Sequence, residues 1–168
     1  MDTITKPKTF IIGSTPFFKY FPGYSSHDLD TLQIIDIFPE KLPGNVLHRK
    51  DGHNDIFLYR NMGKEGFIRD TLDSGVPMRA GKFLVPKFAK YLDLSISDLS
   101  LLSPCFKMID EKHKYEEFIY SSYIKNGKFK LSPQELQEAY KIYCASRGLE
   151  YRPLGLWGEI KYKLETLW

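Results

Sequence analysis

The sequence predicts an α+β fold, with a small sheet first and helices after it. Three observations carry this. Up to residue 60, short β-rich runs alternate with Gly, Pro and Asp turns. After Gly63 the apolar residues change to three- and four-residue steps. Near the end, Ser132-Pro133-Gln134-Glu135 spells a helix start and Gly148 a helix stop.

Taken in order, Thr9 to Ile12 reads as a strand that stops at Gly13-Ser14. Ser14 can cap a short helix with Pro16 in its first turn, running over Phe17 to Phe21 until Pro22-Gly23. A polar stretch leads to Asp28. Leu29 to Phe38 is rich in Leu and Ile and reads as a second strand, and Pro39 to Gly44 as a turn. Val46 to Arg49 and Asp55 to Arg60 read as strands joined by a hairpin at Lys50-Asp51-Gly52. Helical spacing follows over Lys64 to Asp73, Met78 to Leu92 and Ser95 to Leu102. Pro104 to Lys125 can carry one long helix, Ser132 starts another that runs to Arg147, and Leu156 to Trp168 packs back as a last helix or strand.

A length of 168 residues suits one domain, and 42% apolar residues suffice for a core. The net charge of +3 is too small to announce nucleic-acid binding, so any basic surface must come from local clustering. Arg79, Lys82, Lys87 and Lys90 form such a cluster, on one sector of the Met78 to Leu92 helix. The two cysteines, Cys105 and Cys144, lack any zinc-type spacing and read as reduced core thiols. No apolar run approaches the roughly 20 residues that span a bilayer, and Met1 to Lys8 is polar. A cytoplasmic protein without a membrane segment is expected.

The chemistry concentrates in Ile12-Gly13-Ser14 and Asp28-Leu29-Asp30, thirteen residues apart. A glycine after a buried strand lets the backbone approach a phosphate, and Ser14 with the amides that follow offers hydrogen bonds to phosphate oxygens. Residues two apart on a strand share a face, so Asp28 and Asp30 converge. Two close carboxylates repel unless a divalent cation such as Mg²⁺ lies between them. Asp36 shares their parity but lies six residues past Asp30, roughly 20 Å along an extended strand. His27 adjoins the pair.

This pattern resembles the DNA polymerase β nucleotidyltransferase superfamily, and within it most closely the predicted nucleotidyltransferases associated with RNA repair. The resemblance implies a mixed sheet carrying the site in residues 1–92 and a helical region, 93–168, packed on it as one unit. It implies transfer of a nucleoside monophosphate from an NTP to a hydroxyl on an RNA end, a protein or a small molecule. It further implies a third carboxylate on a later strand, assigned to Asp55 ahead of Asp36. Asp28, Asp30 and Asp55 would then be both catalytic and metal-binding, with Mg²⁺ or Mn²⁺ as cofactor. Gly13, Ser14, His27, Arg79 and Lys82 would hold the nucleotide. The other reading of the same fold is a catalytically idle binding protein, acting as an antitoxin-like partner or a nucleotide-binding inhibitor.

Overall fold

A computed structural model describes residues 8–26, 28–36, 45–74 and 86–167. Within them the fold is α+β: a four-stranded mixed sheet followed by a helical second half. The strands are β1 (Lys8–Ile12), β2 (Asp30–Ile35), β3 (Val46–Asp51) and β4 (Asn54–Arg60). Their order across the sheet is β1-β2-β4-β3. β1 runs antiparallel to β2, β2 parallel to β4, and β4 antiparallel to β3. The β3–β4 hairpin closes tightly, with Asp51 opposite Asn54, so Gly52-His53 forms its loop and Gly52 takes φ +63°. That left-handed geometry suits glycine.

The alternation of burial along the strands gives the sheet its sides. Phe10 and Ile12 of β1, Leu32 and Ile34 of β2, and Tyr59 of β4 are buried in one core cluster. Helices α1 (Thr15–Phe18), α2 (Gly63–Ser74) and α3 (Pro86–Tyr91) pack on that face. Phe88 of α3 meets Phe10 edge-on at 5.5 Å, and Phe67 of α2 meets both Phe88 and Tyr59. T-shaped contacts of this kind pair the positive ring edge with the negative ring face.

The helical half comprises α4 (Ile96–Leu102), α5 (Lys114–Asn126), α6 (Pro133–Arg147) and α7 (Leu156–Glu165). The expected single helix over Pro104 to Lys125 is broken. A 3₁₀ turn covers Ser103–Phe106, Lys107 is extended, and a second 3₁₀ turn covers Glu111–His113 before α5 begins. The cause is local. Asp110 turns its side chain back to accept the Lys112 amide at 2.9 Å, an arrangement that competes with helix. The Met108 amide donates to Glu117 at 3.0 Å, and Met108 is buried while Ile109 points to solvent.

The terminal signals at Ser132 and Gly148 behave as expected. Ser132 accepts the Glu135 amide, Glu135 accepts the Ser132 amide, and Gly148 closes α6 at φ +66°. Burial alone would raise the Glu135 carboxyl, but the Ser132 amide, the Asn126 amide and the Ser132 hydroxyl hold it below its ordinary 4.5. The two halves share one core. Phe18 is fully buried against rings from Phe21, Tyr24, Tyr115, Tyr140 and Tyr143, so α1 is clamped by α5 and α6. Truncating such a ring to Ala typically costs about 3–5 kcal/mol. Cys105 and Cys144 are buried free thiols, and burial pushes both up, which suits packing rather than nucleophilic chemistry.

α7 is docked through Tyr162, whose ring meets Tyr20 at 5.2 Å and whose hydroxyl donates to the Leu131 carbonyl at 2.6 Å. Beside it, a Cβ at Gly158 would collide with the Tyr20 carbonyl and approach Leu154 to 2.9 Å. On an exposed helix Gly→Ala gains up to about 1 kcal/mol. Here Gly158→Ala is expected to lower stability by about 1–3 kcal/mol, read by denaturant unfolding. Glu135→Ala is expected to cost about 1 kcal/mol at neutral pH. Because the folded carboxyl titrates low, its contribution is present above the ordinary value and lost as pH falls through the lowered one. The gap between variant and parent in a pH series of melts should close accordingly.

Candidate functional site

Strand register decides which side chains can meet. Ile12 lies opposite Asp30, and the parallel pairing of Thr31 with Ile56 puts Asp30 and Asp55 side by side at the start of β2 and β4. Both have the parity of the core-facing residues, so they project at the edge of the packed face. Asp28 precedes Asp30 by two residues. One carboxylate oxygen from each of Asp28, Asp30 and Asp55 lies within 4.8 Å of the others.

Two hydrogen bonds clasp the strand starts together. The Asp55 amide donates to Asp30 Oδ1 at 3.2 Å, and the Leu29 amide donates to Asn54 Oδ1 at 2.7 Å. Each joins residues 25 apart in sequence, so the chain itself pulls like charges into proximity. One compensation comes from the hairpin. His48 Nε2 contacts Asp55 Oδ1 at 2.7 Å, and the imidazole lies flat on Phe57 with ring centroids 4.6 Å apart. His48 faces Phe57 in register, so its side chain reaches Asp55 diagonally on the same face.

The glycine turn sits over these acids. Gly13 has φ +81°, and a Cβ there would stand 3.4 Å from Asp30 Oδ2. A side chain would be strained by the left-handed backbone, while its Cβ would only touch the carboxylate. Ser14 differs from its expected role. Its backbone carbonyl accepts the amides of Phe17 and Phe18, but its hydroxyl makes no cap bond. That hydroxyl lies 2.8 Å from the Tyr24 hydroxyl instead. With ψ −22° the residue is already helical, so its side chain points away from the first amides. α1 spans Thr15–Phe18, shorter and earlier than the expected Phe17 to Phe21. Phosphate contact at this turn would therefore rest on its amides rather than on a long helix dipole.

Past the turn the chain returns to the acids through hydroxyls. Thr15 Oγ1 donates to Ser26 Oγ at 3.2 Å, and Ser26 donates to the Asp28 carbonyl. Asp36 stands at the other end of β2, where its Oδ1 accepts the Asn61 side-chain amide at 2.7 Å. It is outside the cluster of three. His27, Arg79 and Lys82 lie outside the described residues, as do the Pro39 to Gly44 turn and the first part of the Met78 to Leu92 helix. Lys87 and Lys90 of the same basic stripe belong to α3.

Sequence reasoning did not find His48, Asn54 or Tyr24. His48 was within reach: the Gly52 hairpin signal, taken with two-residue parity, puts it on the Asp55 face. Nothing local in the sequence announces Asn54 or Tyr24, because their partners are 25 and 10 residues away. Among the described residues, no helix is long and apolar enough to cross a membrane. No protein-family model, curated protein or solved structure matches the chain.

Three neighbouring carboxylates store repulsion in the free protein. Asp28→Asn removes one charge from the exposed member and leaves the Ser26 bond to its carbonyl. The variant is expected to melt a few degrees higher than the parent in chelator at low salt, a gain of about 0.5–1 kcal/mol. The difference should shrink above about 0.5 M salt, where exposed charges are screened.

Proposed function

We propose that this chain is a nucleotidyltransferase that moves a nucleoside monophosphate from an NTP to a hydroxyl acceptor. The observation that carries the reading is the convergence of Asp28, Asp30 and Asp55 beneath the Gly13 turn. Further support comes from the order of parts. A strand, a glycine turn, an antiparallel strand that starts at Asp30 and a strand parallel to it that bears Asp55 follow one another in the order that the motif leads one to expect of a nucleotidyltransferase, which supports the reading.

The donor set suits a hard divalent cation. All three groups are carboxylates, and in an octahedral Mg²⁺ shell with bonds of about 2.1 Å neighbouring oxygens stand about 3.0 Å apart and opposite ones about 4.2 Å, so the 4.8 Å cluster would contract around the ion by side-chain rotation. Asp28, Asp30 and Asp55 would hold Mg²⁺, or Mn²⁺ in its place. Bound there, the ion would supply Lewis-acid polarisation of phosphoryl oxygens. The chain's own residues do the rest. The amides of the Gly13-Ser14 turn bind the phosphate tail. His48 holds Asp55 in place through its Oδ1, and the Asp55 carboxylate would take the proton of the acceptor hydroxyl. The hydroxyl oxygen bonds to the α-phosphorus, the bond from that phosphorus to the bridging oxygen breaks, and pyrophosphate leaves.

A second reading, a catalytically idle fold acting as a binding protein, is favoured by the Ser14 hydroxyl. It is engaged with Tyr24 rather than offered to a ligand. The test is incubation with α-labelled NTPs, Mg²⁺ and a panel of RNA, protein and small hydroxyl acceptors. Label transfer by the parent and its loss by at least about 100-fold in Asp30→Asn is the expected result, the size usual for removing a group that acts in the transition state. Absence of both label transfer and NTP binding defeats the enzyme reading. Biological activity that survives Asp28→Asn with Asp30→Asn selects the idle one.

A further inference from the structure

A groove of about 860 Å³ runs along the outer edge of β1, lined by Lys8 to Ile11 and by Thr15 to Phe17 on the far side of the Gly13-Ser14 turn. β1 is the terminal strand of the sheet, so its outer side has no strand neighbour among the described residues. The volume lies near the top of the roughly 300–1,000 Å³ range of ligand pockets, more than a lone phosphate needs. The walls are α1, α3, the Lys130-Leu131 loop and α7.

The charge of these walls is one-sided. Lys8, Lys19, Lys87, Lys90 and Lys130 line the groove, against one acid, Glu165. Glu165 is itself bonded to Lys19 at 3.1 Å. This is the local clustering that a net charge of +3 conceals. Tyr91 presents a half-exposed ring at the rim, with the Lys8 ammonium 6.0 Å from its centre. Tyr123, only 1% exposed, also lines the groove, and its buried hydroxyl has no hydrogen-bond partner among the described residues.

We infer that this groove binds a single-stranded nucleic acid. Cations spread over both walls match a run of backbone phosphates. An exposed ring flanked by an ammonium offers a base a stacking face. As the path by which an acceptor strand reaches the glycine turn, the groove rests on the nucleotidyl-transfer reading. As an anion-binding surface it stands apart from it.

The experiment follows a fluorescein-labelled oligouridylate of about eight nucleotides by anisotropy, in chelator and without NTP. Binding that weakens steeply with salt is expected. Lys87→Ala with Lys90→Ala should weaken it at least about tenfold at low salt. The same pair should reduce the slope of log affinity against log salt by about 1.4, at about 0.7 for each phosphate no longer neutralised. Tyr91→Ala, which removes the half-exposed ring, should weaken it several-fold while circular dichroism stays that of the parent. Absent binding, binding unmoved by these variants, or capture of oligoglutamate in place of the oligonucleotide would each overturn the inference. Asp30→Asn serves as the separating control. Asp30→Asn is expected to leave groove binding unchanged; in the parent, groove binding without NTP binding or label transfer sinks only the enzyme reading, and NTP binding without groove binding sinks only this one.

Discussion

The parallel register of β2 against β4 is the constraint from which the rest of the molecule takes its arrangement. It brings Thr31 beside Ile56, and so Asp30 beside Asp55. Shifting either strand by one residue would turn one acid to the opposite face and bring core residues out with it. The buried side chains of Leu32, Ile34 and Tyr59 therefore enforce the geometry of the acids. Packing energy, gained deep in the core, holds a repulsive cluster together at its edge. Such local expense supported by distant stability is characteristic of functional sites.

The second organising element is the aromatic assembly around Phe18. α1 is too short to be stable alone. It persists because its rings are enclosed by Tyr115, Tyr140 and Tyr143 from the helical half. Arg147 adds to this enclosure by stacking over Tyr143 at 4.0 Å and donating to the Lys112 carbonyl at 2.9 Å. The sheet thus positions the acids while the helices position the glycine turn, and the site is a joint product of both.

Much of the fold was legible in the sequence because its signals are local. The Ser132 and Ser95 caps, the Gly148 stop, the hairpin at Gly52 and the strand alternations each depend on residues a few positions apart. Strand parity was enough to expect Asp28 beside Asp30, although Asp28 itself precedes β2, which starts at Asp30. Asp55 needed the resemblance, since nothing nearby in the chain says that Asn54–Arg60 lies parallel to Asp30–Ile35. Ser14 and the Pro104 to Lys125 segment depart from expectation for one reason. In both, a side chain found a partner that competes with the standard helix role, Tyr24 for Ser14 and the Lys112 amide for Asp110. Competition between partners is decided in three dimensions and leaves little trace in composition.

The clamp on Phe18 bears on how this protein could be cut. A fragment ending near residue 92 would keep every strand and every acid, and on paper would look like a minimal core. It would also uncover the ring faces that α5 and α6 now cover, and α1 would lose the walls that keep it folded. The glycine turn would then drift while the acids stayed with the sheet. Such a fragment would have the parts of a site without their alignment, on a sticky surface prone to aggregate. The helical half is thus a framework for the turn rather than an appendage to be trimmed.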